Sequence, residues 1–418
     1  MSKYIIKGGE KLSGEVNISG SKNASLPILA ASILNRKKVK LYNVPDISDV
    51  RTTCEILESL GCKIEKINNV LIIDSEKMEN TVIPDDLMRK LRSSVILAGA
   101  ILARFKKVSF SLPGGCDIGT RPIDLHLKNF KKIGIKISEN SRYIECICDK
   151  IVSKTIELDF PSVGATENLI LASIYGNHEI IINNAAMEPE IVDLANFLNK
   201  LGAKIYGAGT NIIKVLGVKK LKELASYTIM PDRIEAGTFL VAGAITKGSI
   251  KINKVNTIHL GPVISKLKKC GCEILTDNNC MYINGNKNTT AVDIKTMPYP
   301  GFPTDLQPIF STYLTICKGT SIVTENIFEN RFKFMQEIKR MGAKVKFESN
   351  SIIIKGIKKL HSANLECTDL RGGAAMVLAA LNSDGVSEIS KLDYLFRGYE
   401  NFDIKLKKLG ANITREEN

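Results

Sequence analysis

The sequence predicts an α/β (α+β) fold of six repeated units, three in each of two domains, packed around buried helices. Three observations predict it: a glycine motif that recurs six times, an amphipathic helix before each glycine, and a second, apolar helix in every unit. The motifs read Leu60-Gly61-Cys62-Lys63-Ile64, Ile133-Gly134-Ile135-Lys136-Ile137, Leu201-Gly202-Ala203-Lys204-Ile205, Cys270-Gly271-Cys272-Glu273-Ile274, Met341-Gly342-Ala343-Lys344-Val345 and Leu409-Gly410-Ala411-Asn412-Ile413. Their glycines lie 73, 68, 69, 71 and 68 residues apart, a regularity that chance does not produce.

Each motif has the same physical reading. Apolar residues precede the glycine at helical spacing, as in Ile191, Leu194, Ala195, Leu198 and Leu201. The glycine ends the helix in the left-handed conformation, which a Cβ would strain. Lysine or arginine crowds the last turn in five of the six, where the helix end is negative; Glu58-Ser59 in the first copy is the exception. A strand follows, and usually a second, such as Val70–Ile73 or Ile352–Ile354.

The second helix of each unit is apolar nearly all round: residues 26–34, 95–102, 169–174, 239–245, 309–316 and 374–381. Such helices belong inside the protein. Polar residues stand at their N-terminal ends, among them Lys22-Asn23, Arg92, Ser162, Asp232-Arg233, Thr304-Asp305 and Asp369-Leu370-Arg371. If the three buried helices of a domain run parallel, their starts converge, and their unsatisfied N–H groups form a site for anions.

The chain has 418 residues, enough for about two large domains. No stretch approaches the roughly 20 apolar residues of a membrane helix, and the N-terminus lacks a signal-peptide core, so the expected location is the cytoplasm. The net charge is +14, but the lysines are scattered, Trp is absent and aromatics are 6%, which argues against a nucleic-acid partner. Of ten cysteines none forms a C-x-x-C pair, and the four histidines are dispersed, so no metal is expected. The Cys146/Cys148 and Cys270/Cys272 pairs alternate as strand positions would. Most of the thiols are expected to be buried hydrophobes.

Cys116 differs. It sits in Pro113-Gly114-Gly115-Cys116-Asp117-Ile118-Gly119-Thr120-Arg121-Pro122-Ile123-Asp124-Leu125-His126, a glycine- and proline-rich loop beside Arg121, where a thiolate is favoured. This stretch resembles the active-site loop of the UDP-N-acetylglucosamine 1-carboxyvinyltransferase (enolpyruvyl transferase) family, which commits sugar nucleotide to bacterial peptidoglycan. The resemblance runs the length of the chain through Ser19–Ala24, Ser162–Thr166, Glu188–Asp193, Pro231–Glu235, Phe302–Asp305, Phe328–Phe332, Thr368–Arg371 and Arg397–Glu400. It implies an inside-out α/β barrel in each of two domains. One spans residues 1–21 and 230–418 and carries Asp305, Arg371 and Arg397. The other spans 22–229 and carries the Cys116 loop, with the active site in the cleft between them.

The resemblance also implies the reaction and its residues. The enolpyruvyl group of phosphoenolpyruvate moves to the 3-hydroxyl of UDP-N-acetylglucosamine by addition and elimination, releasing phosphate, with no cofactor. Cys116 matches the acid that protonates the methylene carbon and can also form a covalent adduct with phosphoenolpyruvate. Asp305 matches the base for the sugar hydroxyl, although an Asp at a helix start is more often a cap. Lys22, Arg121 and Arg397 match contacts to phosphate and carboxylate, with Arg371 and Arg92 near them. Asn23 matches a group that bonds the sugar, and shares the phosphoenolpyruvate site. Arg121, Pro122, Ile123, Asp124, Leu125, Ser162, Val163, Gly164 and Ile327 match nucleotide-binding positions, as do Arg92 and Asp305. Asp369 is expected to orient Lys22 or steady the loop, and the 111–121 loop to act as a lid. His126 reads first as a packed, hydrogen-bonded histidine.

One departure stands out: Phe160 replaces a lysine found in many relatives, removing a cation near the nucleotide. The runner-up is the sister transferase acting on shikimate 3-phosphate, which lacks the cysteine motif. The intact Lys22, Cys116, Asp305 and Arg397 argue against a silent regulator, and a monomer is the working expectation.

Overall fold

A computed structural model describes residues 2–112, 123–140, 142–285 and 288–417. All six motif glycines lie past a helix end with φ between 92° and 101°. In each, the next residue donates back across the helix end: Cys62 to Leu57, Ile135 to Phe130, Ala203 to Leu198, Cys272 to Leu267, Ala343 to Ile338 and Ala411 to Leu406. This 6→1 bond satisfies a carbonyl that the helix leaves open, and glycine permits it at no Cβ cost.

The chain divides into two compact units, residues 2–19 with 231–417, and residues 20–112 with 123–230. Each contains three central helices with sheets outside them. In the second unit these are Lys22–Ser32, Leu97–Phe105 and Val163–Ala172; in the first, Arg233–Ile245, Gln307–Leu314 and Leu370–Asn382. The helix Arg233–Ile245 has all 13 of its residues buried, as its unbroken apolar run predicts. Apolar burial of about 25 cal/mol per Å² is the main force holding each unit together.

One pattern recurs in five of the six sheets among the described residues: a parallel edge strand, then an antiparallel run of three. Three edge strands directly precede their helix, as Lys154–Glu157 does, pairing with Glu179–Asn183 after the helix Val163–Ala172. The remaining sheet has three strands and a single parallel bridge, Val82 to Ser109, at that edge.

Two edge strands are exchanged where the chain passes between units. Ser13–Asn17 leads into the helix Lys22–Ser32 yet pairs with Ser249–Asn253, and Ser226–Thr228 leads into Arg233–Ile245 yet pairs with Lys38–Tyr42. Each therefore stays with the unit it leaves. The sixth repeat borrows the N-terminal strand Lys3–Lys7, antiparallel to both Val386–Ser390 and Asn412–Glu416.

The central helices begin earlier than their apolar runs because side chains cap them. Ser21 accepts from Ala24 N at 3.2 Å and Ser162 from Ala165 N at 3.3 Å. Asp232 accepts from Ile234 N and Glu235 N at 2.7 and 2.9 Å. Such caps are each worth about 1 kcal/mol.

The cysteine reading holds in part. Seven of the nine described thiols are buried, with Cys54 and Cys280 half-buried. Cys146 lies on the strand Ile144–Ile147. Cys270 and Cys272, however, flank the helix-ending Gly271 and precede the strand Glu273–Asp277, so their spacing records a helix terminus and not a strand. Among the described residues no helix is long and apolar enough to cross a membrane.

Candidate active site

In the unit of residues 20–230, Lys22 opens the first central helix. Its Nζ lies 2.7 Å from Oδ2 of Asp49, and the two side chains are 13% and 6% exposed. Asp49 stands in the first turn of the helix Ser48–Ser59. As sequence it is an ordinary acidic residue at a helix start; in the fold it is the counter-charge of Lys22. Asn23 follows Lys22 in the same turn, and Arg92 opens the short 3-10 turn Arg92–Ile96 before the second central helix.

Ser162, Val163 and Gly164 form the start of the third central helix and are half-buried. His126 packs against them: a Cβ on Gly164 would meet its Cε1 at 3.0 Å. Asn168 ties the region together. Its Nδ2 donates to Val95 O at 2.9 Å and bonds His126 Nδ1 at 2.8 Å, while its Oδ1 accepts from Gly99 N at 2.9 Å. His126 is thus a packed, hydrogen-bonded histidine. Ile123 is buried, Asp124 is exposed in the first turn of the helix Asp124–Lys132, and Leu125 is half-buried. Phe160 is 40% exposed. A cation, Lys128, pairs at 2.5 Å with Asp159, the residue before Phe160.

In the other unit, Asp305 lies within the turn Thr304–Leu306, where Pro303 occupies the cap position. Both of its oxygens face guanidinium groups. Oδ1 accepts from Arg331 Nη2 at 2.9 Å; Oδ2 accepts from Arg371 Nη2 at 3.0 Å and Nε at 3.3 Å. The Arg331 and Arg371 side chains are 3% and 2% exposed, Asp305 25%. Burial alone would lower the pKa of Arg371, but Asp305, Tyr399 and Asp232 outweigh it and hold the pKa above the ordinary value.

Arg397 follows the short helix Asp393–Phe396. Its loop is pinned next to Arg371: Tyr399 lies 5.2 Å from the Arg371 guanidinium and its hydroxyl bonds Thr238 Oγ1 at 2.8 Å. Glu400 accepts from Ser19 Oγ at 2.5 Å, and Lys405 bridges Ser19 Oγ and Glu235 at 2.7 and 2.5 Å.

Ile327 sits on a loop organised by Glu325, a carboxylate 4% exposed. Glu325 accepts from Thr296 Oγ1 at 2.7 Å, Thr304 Oγ1 at 2.9 Å, Ile327 N at 2.8 Å and Phe328 N at 3.2 Å. It thereby joins the residue before Asp305 to the segment carrying Arg331. Sequence reasoning missed Glu325, Arg331 and Asp49. The only signal for Arg331 was its place in Phe328–Phe332.

Asp369 has a local role that the sequence reading did not give it. Asp369 caps its own helix, accepting from Arg371 N and Gly372 N at 3.0 Å each and from Thr368 Oγ1 at 3.2 Å. An Asp preceding a helix start is best used that way, and within its own unit Lys22 pairs with Asp49. Cys116, Arg121 and Pro122, with residues 113–121 of the loop expected to be a lid, lie outside the described residues.

The profile of the EPSP synthase (3-phosphoshikimate 1-carboxyvinyltransferase) family matches residues 6–415. A curated relative from Caldanaerobacter subterraneus subsp. tengcongensis, UDP-N-acetylglucosamine 1-carboxyvinyltransferase 2, is 50% identical over 99% of this chain and 100% of its own length. The enzyme of the same name from Clostridium tetani is 48% identical over 99% of this chain and 100% of its own length. The chain belongs to the UDP-N-acetylglucosamine 1-carboxyvinyltransferase family. The Caldanaerobacter copy numbered 1 is 46% identical over 99% of this chain and 100% of its own length, so both paralogues stand at a similar distance.

The family fold extends well past this level of identity. The enolpyruvyl transferase NikO from Streptomyces tendae matches with a TM-score of 0.90 at 23% identity, covering 99% of this chain and 98% of that one. EPSP synthase from Acinetobacter baumannii matches with a TM-score of 0.79 at 17% identity, covering 100% of both chains. Relatives at 46–50% identity carry the sugar-nucleotide name while EPSP synthase shares only the fold, which decides between the two acceptor readings.

Proposed function

We propose that this chain transfers the enolpyruvyl group of phosphoenolpyruvate to the 3-hydroxyl of UDP-N-acetylglucosamine, using residues of both units. The observation that carries the reading is full-length identity of 46–50% to enzymes of that name, joined to a half-buried Asp305 held between two buried guanidinium groups.

In the addition step the sugar oxygen bonds to the central carbon of phosphoenolpyruvate. Asp305 takes the hydroxyl proton and Cys116 gives a proton to the methylene carbon. The tetrahedral intermediate carries both sugar oxygen and phosphate. In elimination the carbon–phosphate oxygen bond breaks, the methyl group returns a proton to Cys116, and phosphate leaves. Lys22, Arg121, Arg371 and Arg397 neutralise phosphate and carboxylate, with Arg92 near them. Asn23 holds the sugar beside the phosphoenolpyruvate site. Pro122, Ile123, Asp124, Leu125, Ser162, Val163, Gly164 and Ile327 hold the nucleotide.

Asp49 gives a first prediction. Asp49→Asn keeps the shape and removes the charge that holds Lys22. The expected outcome is a rise of about tenfold in KM for phosphoenolpyruvate with KM for UDP-N-acetylglucosamine little changed, since one misaimed cation costs about 1–2 kcal/mol of contact to an anion. Steady-state kinetics with each substrate varied in turn checks it.

The proposal is tested by incubating the chain with both substrates and weighing the nucleotide product by mass spectrometry while counting phosphate. The expected result is one enolpyruvyl group gained per phosphate released. Cys116→Asp should retain turnover, because a carboxylic acid can supply the same proton, and Cys116→Ser should lose it. A sugar nucleotide unchanged in mass, or a fully active Cys116→Ser, would overturn the assignment.

A further inference from the structure

Arg331 has no role in the reaction as described above, yet it is buried and bonded to the proposed base. The two guanidinium contacts are unequal. Arg371 grips Oδ2 of Asp305 with two nitrogens, at 3.0 and 3.3 Å, and its own ring neighbour Tyr399 supports it from behind. Arg331 reaches Oδ1 through one nitrogen at 2.9 Å, which is its only hydrogen bond among the described residues; its Nε is buried with no protein partner. The Phe328 ring lies 5.6 Å from its guanidinium.

This geometry poses a chemical problem. A carboxylate whose two oxygens both face buried cations is a weak base, because opposite charges at contact lower a carboxyl pKa by about 1–3 units. To take a proton from a hydroxyl, Asp305 must offer an oxygen. Arg371 holds Oδ2 through two nitrogens and Arg331 holds Oδ1 through one, so of the two guanidinium contacts that of Arg331 is released at lower cost.

We propose that Arg331 is a positioning residue for Asp305: it holds Oδ1 in the resting site and yields it to the acceptor hydroxyl, while Arg371 keeps the carboxylate in place through Oδ2. The inference rests on the reading of Asp305 as the base. Losing the Arg331 contact at the moment the hydroxyl arrives raises the basicity of the carboxylate when it is needed. One proton then moves from the hydroxyl to Oδ1 as the oxygen–carbon bond forms, and leaves Asp305 for solvent before the next turnover. Among the described residues, the charged and titratable groups around the pair include Arg331 and Arg371 on Asp305 itself, Tyr399 and Asp232 beside Arg371, and Glu325 behind Thr304.

The test is the pH profile of kcat/KM, which reports the resting site, for the unaltered chain, Arg331→Met and Arg331→Lys, with UDP-N-acetylglucosamine and phosphoenolpyruvate as substrates. Removing the cation raises the Asp305 pKa, so more of it is protonated at a given acid pH. The acid limb of Arg331→Met is therefore expected to move up by about 1–3 pH units. At neutral pH kcat is expected to fall about 10–100-fold from lost orientation of the carboxylate, with KM for the acceptor within threefold. Arg331→Lys keeps the charge, is the variant to read if Arg331→Met does not fold, and is expected to keep the limb within half a unit of the unaltered chain. A limb that stays put in Arg331→Met, or an Arg331→Lys profile displaced as far as that of Arg331→Met, overturns the proposal. If the unaltered chain releases no phosphate with both substrates present, the failure lies in the proposed function and not in Arg331.

Discussion

Replacing Asp305 by Asn is expected to lower kcat by about 10²–10⁴-fold, the usual contribution of a positioned general base. The substitution keeps the shape and one acceptor oxygen but cannot take the proton. It also strips the counter-charge from two guanidinium groups that are 3% and 2% exposed. Breaking a buried ion pair in this way costs about 3–5 kcal/mol, so the thermal midpoint should fall as well. The two effects separate cleanly when turnover is measured well below that midpoint and nucleotide binding is measured alongside. Binding retained within a few-fold with turnover lost points to chemistry; both lost together points to a collapsed site.

Glu325→Ala is expected to be the most damaging substitution for stability in its unit. Four donors from three stretches of chain converge on this carboxylate, two hydroxyls and two backbone N–H groups. Alanine leaves the buried donors unpaired, at about 1–3 kcal/mol each before relaxation and water entry. A net loss of about 3–5 kcal/mol, or about 6–20 °C in the midpoint for a unit of this size, is the expected result by calorimetry or circular dichroism. Turnover should fall too, because the segment carrying Arg331 and the turn carrying Asp305 are both anchored there. Glu325→Gln keeps an acceptor oxygen and is expected to lose about half as much.

Features tied to a local physical cause were legible in the sequence. Gly61 and its five counterparts were readable as helix ends because only glycine takes a φ near 95° without strain, and that preference belongs to the residue itself. The central helices were readable because an all-apolar run has nowhere to go except inside. Their starts were read less well: Ser21, Asp232 and Asp369 cap helices that begin before the apolar runs do. Cys270 and Cys272 mimicked strand alternation because a residue on each side of a C′ glycine has the same spacing.

The pairings that build the site were not legible, and the reason is sequence distance. Lys22 and Asp49 are separated by 27 residues, Asp305 and Arg331 by 26, and Asp305 and Arg371 by 66. Nothing in a charge pattern tells which cation meets which carboxylate across two elements. Lys22, Asp305 and Arg371 entered through resemblance to known enzymes, and Asp49, Glu325 and Arg331 stayed hidden because they act on those residues and not on substrate. The exchange of the strands Ser13–Asn17 and Ser226–Thr228 was equally hidden, since each has the pattern of an ordinary edge strand.

The most direct measurement is phosphate released from phosphoenolpyruvate by the unaltered chain, with UDP-N-acetylglucosamine and shikimate 3-phosphate offered in parallel. Release that depends on UDP-N-acetylglucosamine, with none above background for shikimate 3-phosphate, is the predicted result. Release with shikimate 3-phosphate and not with UDP-N-acetylglucosamine would contradict it.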